Sequence, residues 1–315
     1  MEKKGRAFRV EYLFMLIAAL FWALGHPFGK IALREVHPFQ LGAFNLIAGF
    51  FSLLIFLAVT GRLKEIFKLP GRDLFSSLFL GVFGFFLYQI MTFSALSRIP
   101  ASMNAVLVST NVVFIVIFSA IFLKERIQLY KIAGIVLAFA GVLFVTFNTG
   151  FSIESNVNLI GCLFSICAVI SFTLYAIFGK HVLSRNDPLI VSTLAIFSGA
   201  VLLTLMTLFT QGFQTLGSAS VQTWAIMIML GVTMIGTSYP LYFTCLKRMP
   251  ASHVSIYIYM TPVFAVILSL VILKERFSWL FWLGTVLVLS GIVIASFFSG
   301  KSAATETGKS AIGDQ

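Results

Sequence analysis

Residues 98–126 read RIPASMNAVLVSTNVVFIVIFSAIFLKER, and residues 248–276 read RMPASHVSIYIYMTPVFAVILSLVILKER. The two stretches lie 150 residues apart and share their polar ends, R-x-P-A-S at the start and L-K-E-R at the finish. Apolar runs match one another by chance, but polar words at fixed positions do not, so the chain carries an internal duplication. From Arg98 to Asn148, 18 of 51 positions are identical to those 150 residues later. The same offset carries Phe28-Gly29-Lys30 onto Phe178-Gly179-Lys180, Pro38 onto Pro188, and Gly134 and Gly141 onto Gly284 and Gly291.

The filling between those polar words identifies the solvent. The 315 residues are 59% apolar and 10% charged, with a mean hydropathy of +1.01. Soluble domains average about 45–50% apolar and about 25% charged. Too few polar residues remain to clothe a globule, which excludes a soluble enzyme, a disordered chain and a secreted disulfide scaffold. Cys162, Cys167 and Cys245 form no CxxC pair and read as small buried hydrophobes. Apolar stretches of about 20 residues, enough to cross roughly 30 Å of hydrocarbon as helix, recur near 12–33, 38–59, 74–96, 101–123, 129–148, 158–180, 188–210, 222–246, 252–273 and 278–298. They do not alternate, which favours helices over barrel strands.

Five spans per repeat is an odd number, so the second repeat enters the membrane from the opposite side. The expected fold is an all-α polytopic membrane protein of ten transmembrane helices, arranged as two five-helix inverted-topology repeats. These cover 12–148 and 158–298, between a cytoplasmic tail at 1–11 and a disordered cytoplasmic tail at 299–315. The apolar run after Glu11 is too long for a signal peptide and is read as a retained first helix. With both termini inside, 17 of the 22 Lys and Arg residues face the cytoplasm, in accord with the positive-inside rule. The net charge of +11 thereby reports orientation and anionic headgroups rather than nucleic acid. A multi-pass protein of the cell (inner) membrane is expected.

The helix arrangement and these motifs resemble the drug/metabolite transporter superfamily in its EamA-type ten-helix branch, over about residues 10–298. The resemblance rests on the glycine–lysine ending spans 1 and 6, the RxPAS start of spans 4 and 9, and Glu125 and Glu275 ahead of the glycine-spaced spans 5 and 10. It implies a carrier of amino acids and other small metabolites, with a cavity lined chiefly by helices 1, 3, 4, 6, 8 and 9. One departure stands out: span 9 has a central proline, Pro262, whereas span 4 has Asn111-Val112-Val113-Phe114 there.

Polar residues inside a membrane are costly and mark sites by default. All eleven Asp and Glu lie in tails, loops or span ends, which argues against carboxylate-based coupling and leaves histidine as the titratable group within a span. Trp22, His26 and Lys30 share one face of helix 1 at i, i+4, i+8. Trp22 and His26, with Tyr88 and Gln89 of span 3, Asn111 of span 4, Tyr239 of span 8 and Tyr257 of span 9, make the candidate substrate-binding set. Amides, hydroxyls and rings suit a zwitterionic or aromatic metabolite; the competing reading is hydrogen bonding between helices. The duplicated charges allow two same-side pairings across the repeats, Lys30 with Glu275 and Lys180 with Glu125, as gates or braces. Gly134/Gly141 and Gly284/Gly291 predict close backbone packing of helices 5 and 10, or a homodimer contact.

The expected function is secondary transport, with export of an amino acid or related metabolite by alternating access. A facilitative importer and a non-transporting receptor or sensor are the alternatives, and the latter calls for a signalling domain. No P-loop, G-x-S-x-G or H-E-x-x-H motif is present, so no enzyme, cofactor or metal is expected. The expected partners are a small-molecule substrate and the lipid bilayer.

Overall fold

The structure is a computed structural model and describes residues 2–122, 129–147, 156–248 and 260–297. Within those residues each of the ten expected stretches is helical. In span order, α1 is Glu2–Ala32, α2 is Pro38–Val59, α3 is Gly71–Leu96, and α4 comes in two pieces, Ala101–Ser109 and Asn111–Phe122. Then follow α5 (Leu129–Phe147), α6 (Asn156–Arg185) and α7 (Pro188–Thr210). α8 is continuous through Val221–Leu230, Gly231–Thr237 and Ser238–Arg248; α9 (Met260–Leu273) and α10 (Trp279–Phe297) complete the set. Six of these, α1, α2, α3, α6, α7 and α8, contain apolar runs long enough to cross a bilayer. The chain is an all-α polytopic membrane protein. α1 extends back to Glu2, so the segment that composition assigns to a tail continues the first helix.

Helix starts follow from local chemistry repeated at the 150-residue offset. Pro38 and Pro188 stand at the first turn of α2 and α7, where the missing N–H costs nothing. His37 Nδ1 accepts from Phe39 N at 3.3 Å, and Gln40 Oε1 accepts from His37 N at 3.0 Å. Asp187 Oδ1 accepts from Leu189 N at 2.9 Å, so both helices carry an N-cap. α2 stops at Gly61 and α7 at Gly212, whose φ values of +69° and +63° lie where glycine alone is unstrained.

Two irregularities interrupt the spans. α4 breaks at Thr110 although no proline is there. Ser109 Oγ and Thr110 Oγ1 donate to the carbonyls of Val106 and Leu107 at 2.6 and 2.7 Å. Thr110 N bonds Leu107 O at 3.2 Å, three residues back rather than four. The hydroxyls thus tighten one turn without a proline. In α3 and α8 a wider, π-type turn occupies Val82–Leu87 and Gly231–Thr237, again one repeat apart.

Packing runs between the repeats. α2 lies along α7, and α5 along α10. α1 meets α8 and α9, while α6 meets α3 and α4; α2 packs on the wide turn of α8, and α7 on that of α3. Each of these contacts becomes another, or itself, when both numbers shift by one repeat. Lipid gives apolar side chains no reason to associate, so close approach must come from small residues. A Cβ on Gly141 would lie 2.5 Å from Val288 N, and one on Gly291 would lie 2.5 Å from Ala138 N. At one face, Arg62 Nη2 pairs with Asp187 Oδ2 and Glu65 Oε2, each at 2.8 Å. The hydrogen bond from Arg62 holds the Glu65 carboxyl below its ordinary value. The corresponding α2–α7 contact at their other ends is neutral: Gln40 Nε2 donates to Gly212 O at 2.9 Å, and Thr215 Oγ1 to Gln40 Oε1 at 2.8 Å.

Candidate functional site

The side chains that share a face of α1 go to three different partners. Trp22 sets its ring against Tyr239 and Tyr242 of α8, with centroids 5.8 and 5.6 Å apart and planes at 74° and 61°. Edge-to-face pairs of this kind are worth about 0.5–1.5 kcal/mol beyond the area they bury. Tyr239 continues to Phe85 of α3 at 5.3 Å, Phe85 to Tyr175 of α6 at 5.6 Å, Tyr175 to Phe172 at 5.7 Å, and Phe172 to Tyr88 of α3 at 5.4 Å. Seven rings from α1, α3, α6 and α8 therefore form one continuous wall where the repeats meet. The Tyr239 hydroxyl is within electrostatic reach of those of Tyr88, Tyr175 and Tyr242. Both wide turns feed this wall, since Tyr88 follows one directly and Ser238-Tyr239 follow the other.

His26, one turn beyond Trp22, turns to α4. Its Nδ1 is 3.4 Å from Asn104 Nδ2, and Asn104 Oδ1 accepts from Ser165 Oγ of α6 at 2.8 Å. Asn104 and Ser165 are fully buried, while His26 is partly exposed. Asn111 begins the second piece of α4, just past the break, and is partly exposed. Gln89 stands apart from the rings. It is buried against α2, where a Cβ on Gly42 would lie 3.4 Å from Gln89 Cβ, and its Nε2 has no hydrogen-bond partner.

Lys30 and Glu275 meet the same short segment rather than each other. Lys30 Nζ donates to the carbonyls of Leu96 and Ile99 at 2.6 and 2.8 Å. Glu275 accepts from Ala101 N at 2.8 Å, Ser102 N at 3.3 Å and Ser102 Oγ at 2.5 Å. The cation thus sits on the unpaired carbonyls ending α3 and the anion on the unpaired amides opening α4, each opposite the matching end of a helix dipole. No direct ion pair joins them among the described residues, although Glu275 lies within electrostatic reach of Lys30. The repeat of R-x-P-A-S with L-K-E-R has a physical reason here: the glutamate of one word caps the helix that the other begins. Glu125 and Tyr257 lie outside the described residues, as does the side chain of Lys180.

Several members of the constellation carry no sequence signal. Phe85 and Phe172 are two of 35 phenylalanines. Tyr175 and Ser165 have no polar counterpart one repeat away, where Gly25 and Met15 stand. Glu11, at the start of the first apolar run, is only 4% exposed and lies beside Cys245, whose Sγ donates to the Glu11 carbonyl at 3.4 Å. It is eleven residues before Trp22, about 16 Å along the helix, and so outside the ring wall. Among the described residues no three His, Cys, Asp or Glu side chains gather as a metal site requires.

A polytopic bundle with an uncharged, hydroxyl-bearing ring wall at the junction of two repeats is the architecture of a membrane transporter. Residues 9–147 and 159–297 each match the EamA-like transporter family, and the chain belongs to that family. It is 25% identical over 286 residues to an uncharacterized transporter of Archaeoglobus fulgidus, covering 90% of this chain and 98% of that one. It is 25% identical over 297 residues to one of Clostridium kluyveri (93% and 94%) and 26% identical over 268 residues to the uncharacterized transporter YetK of Bacillus subtilis (84% and 80%). A solved crystal structure superposes with a TM-score of 0.66 at 20% identity, covering 92% of this chain and 98% of that chain, which shows a shared fold. The protein is a non-enzymatic transporter of the bilayer acting on a small molecule.

Proposed function

We propose that this transporter exports an amino acid or a closely related metabolite by alternating access, with its two repeats inverted and both termini in the cytoplasm of an inner-membrane protein. The observation that carries the reading is the ring wall built from α1, α3, α6 and α8 at the repeat junction. Trp22, Tyr88 and Tyr239 supply π faces and hydroxyls, and His26 and Asn111 supply polar edges, with no fixed charge among them. Such a surface suits a compact molecule with an apolar or aromatic side chain and its own polar groups. Gln89 and Tyr257 belong to the same proposed set, Gln89 by way of its unpaired amide.

Lys30 and Glu275 act as one gate, holding the α3–α4 turn closed from two sides. Lys180 and Glu125, one repeat away, serve the opposite face in the same way. Alternation then consists of releasing one turn while the other is held. Uptake of each of the common amino acids into proteoliposomes, with and without an imposed pH gradient, tests the reading. Saturable uptake of a subset supports it; equal passage of every compound indicates a pore and refutes it.

A further inference from the structure

The polar chain from Ser165 through Asn104 to His26 has a direction. The Ser165 hydroxyl has one proton, and its shorter contact is to Asn104 Oδ1 at 2.8 Å, against 3.3 Å to the Gly161 carbonyl. An amide oxygen that accepts there leaves its NH2 group facing His26 Nδ1 at 3.4 Å. That nitrogen must then offer a lone pair, and the ring proton of a neutral imidazole moves to Nε2. A second proton on Nδ1 would set N–H against N–H, breaking the contact with Asn104.

We infer that Asn104 and Ser165 are positioning residues that keep His26 neutral, as the Nε2–H tautomer, so that it donates a hydrogen bond to an acceptor group of the substrate, a carboxylate or carbonyl oxygen. The carboxylate at the start of α4, Glu275, is already taken up by Ala101 N, Ser102 N and Ser102 Oγ. α4 from Ala101 to Phe122 and α9 from Met260 to Leu273 contain no ionisable residue. Next to Trp22, α8 presents the hydroxyl-bearing rings of Tyr239 and Tyr242, with its charges Lys247 and Arg248 at its far end; α3 carries Tyr88 in its middle and its charges, Arg72 and Asp73, at its start. α6 contributes Ser165 to the contact, and the charge nearest along α1 is Lys30, one turn on, itself a cation. His26 is therefore a fixed donor and not a proton carrier, and any coupling to a proton gradient runs elsewhere. The inference rests on the transport reading for the identity of the acceptor, but the tautomer does not.

The test is nitrogen NMR of the full-length protein in nanodiscs with 15N-labelled histidine. Four histidines are present, and the His26 signals are assigned by their loss in His26→Gln. The expected spectrum has a protonated Nε2 and a bare Nδ1, unchanged between about pH 8 and 5. Asn104→Asp replaces the facing NH2 by a carboxylate oxygen, and this variant should show a protonated Nδ1 and take up a second proton within that range. Ser165→Ala should give a mixture of the two tautomers, because nothing then fixes the amide of Asn104. A wild-type Nδ1–H tautomer, wild-type titration across this range, or variant spectra identical to wild type would overturn the inference. A protein that transports nothing but keeps the Nε2–H spectrum would instead remove the transport reading alone.

Discussion

Replacing Glu275 by alanine should loosen one end of α4 and, with it, one face of the transporter. The carboxylate accepts three hydrogen bonds, from Ala101 N, Ser102 N and Ser102 Oγ. Bonds to a charged group contribute about 1.5–3 kcal/mol each when buried. Glu275 is only partly buried, and water can replace part of what is lost, so about 1 kcal/mol per bond is the reasonable scale. The closed form then loses about 2–3 kcal/mol relative to an open one, a shift of about 30- to 150-fold in that equilibrium. The assay uses a background with all three cysteines replaced and a single cysteine at position 111, at the broken helix. A membrane-impermeant maleimide is added from the Lys30 side. Labelling should accelerate by about that population shift, and labelling from the other face should slow. Glu275→Gln, which keeps one acceptor oxygen, should fall between. A labelling rate within twofold of the parent, in a variant that melts normally, would refute the reasoning.

Three further outcomes follow from the same geometry. Tyr239→Phe keeps the contacts to Trp22 and Phe85 and loses only a hydroxyl, whereas Tyr239→Ala opens the wall; KM for the transported metabolite should rise about tenfold or more in the second and severalfold less in the first. Gly141→Leu drives a side chain into Val288 N at 2.5 Å and Gly284 O at 2.6 Å, so fluorescence-detected melting should show at least the 1–3 kcal/mol cost typical of overpacking. Acid should weaken the Arg62 contact. Because the folded-state Glu65 carboxyl lies below its unfolded value, its contribution is present above the unfolded value and fades as pH falls through the folded one. The melting difference between the parent and Arg62→Ala should thus hold steady above about pH 5 and shrink below about pH 4.

Much of the fold was legible because the decisive residues are polar words in an apolar text. Pro38 and Pro188 start helices where they stand, and Gly141 and Gly284 meet backbone to backbone. The break in α4 was hidden for the opposite reason. Serine and threonine are ordinary inside a membrane helix, and only their hydrogen bonds reveal that Ser109 and Thr110 tighten a turn. The wide turns were equally silent, since one extra residue in a hydrogen-bond ring leaves composition and period almost untouched. Trp22, Tyr88 and Tyr239 could be singled out as polar-edged aromatics, whereas Phe85 and Phe172 could not be told from lipid-facing rings. Lys30 and Glu275 were paired with each other across the repeats, whereas both reach residues 96–102 of the first repeat, Lys30 from within its own repeat and Glu275 from the other. Backbone carbonyls and amides at helix ends have no letter in the sequence, and those are what the two charges bind.

The central claim is that one site serves both faces in turn. Trans-stimulation in proteoliposomes tests it most directly: vesicles loaded with an unlabelled transported amino acid, or left empty, are given the same compound in labelled form outside. The account predicts faster initial uptake into loaded vesicles, because a carrier returns sooner with cargo than without, and loss of that acceleration in Tyr239→Ala. Equal initial rates in loaded and empty vesicles, for every compound that enters, would contradict it.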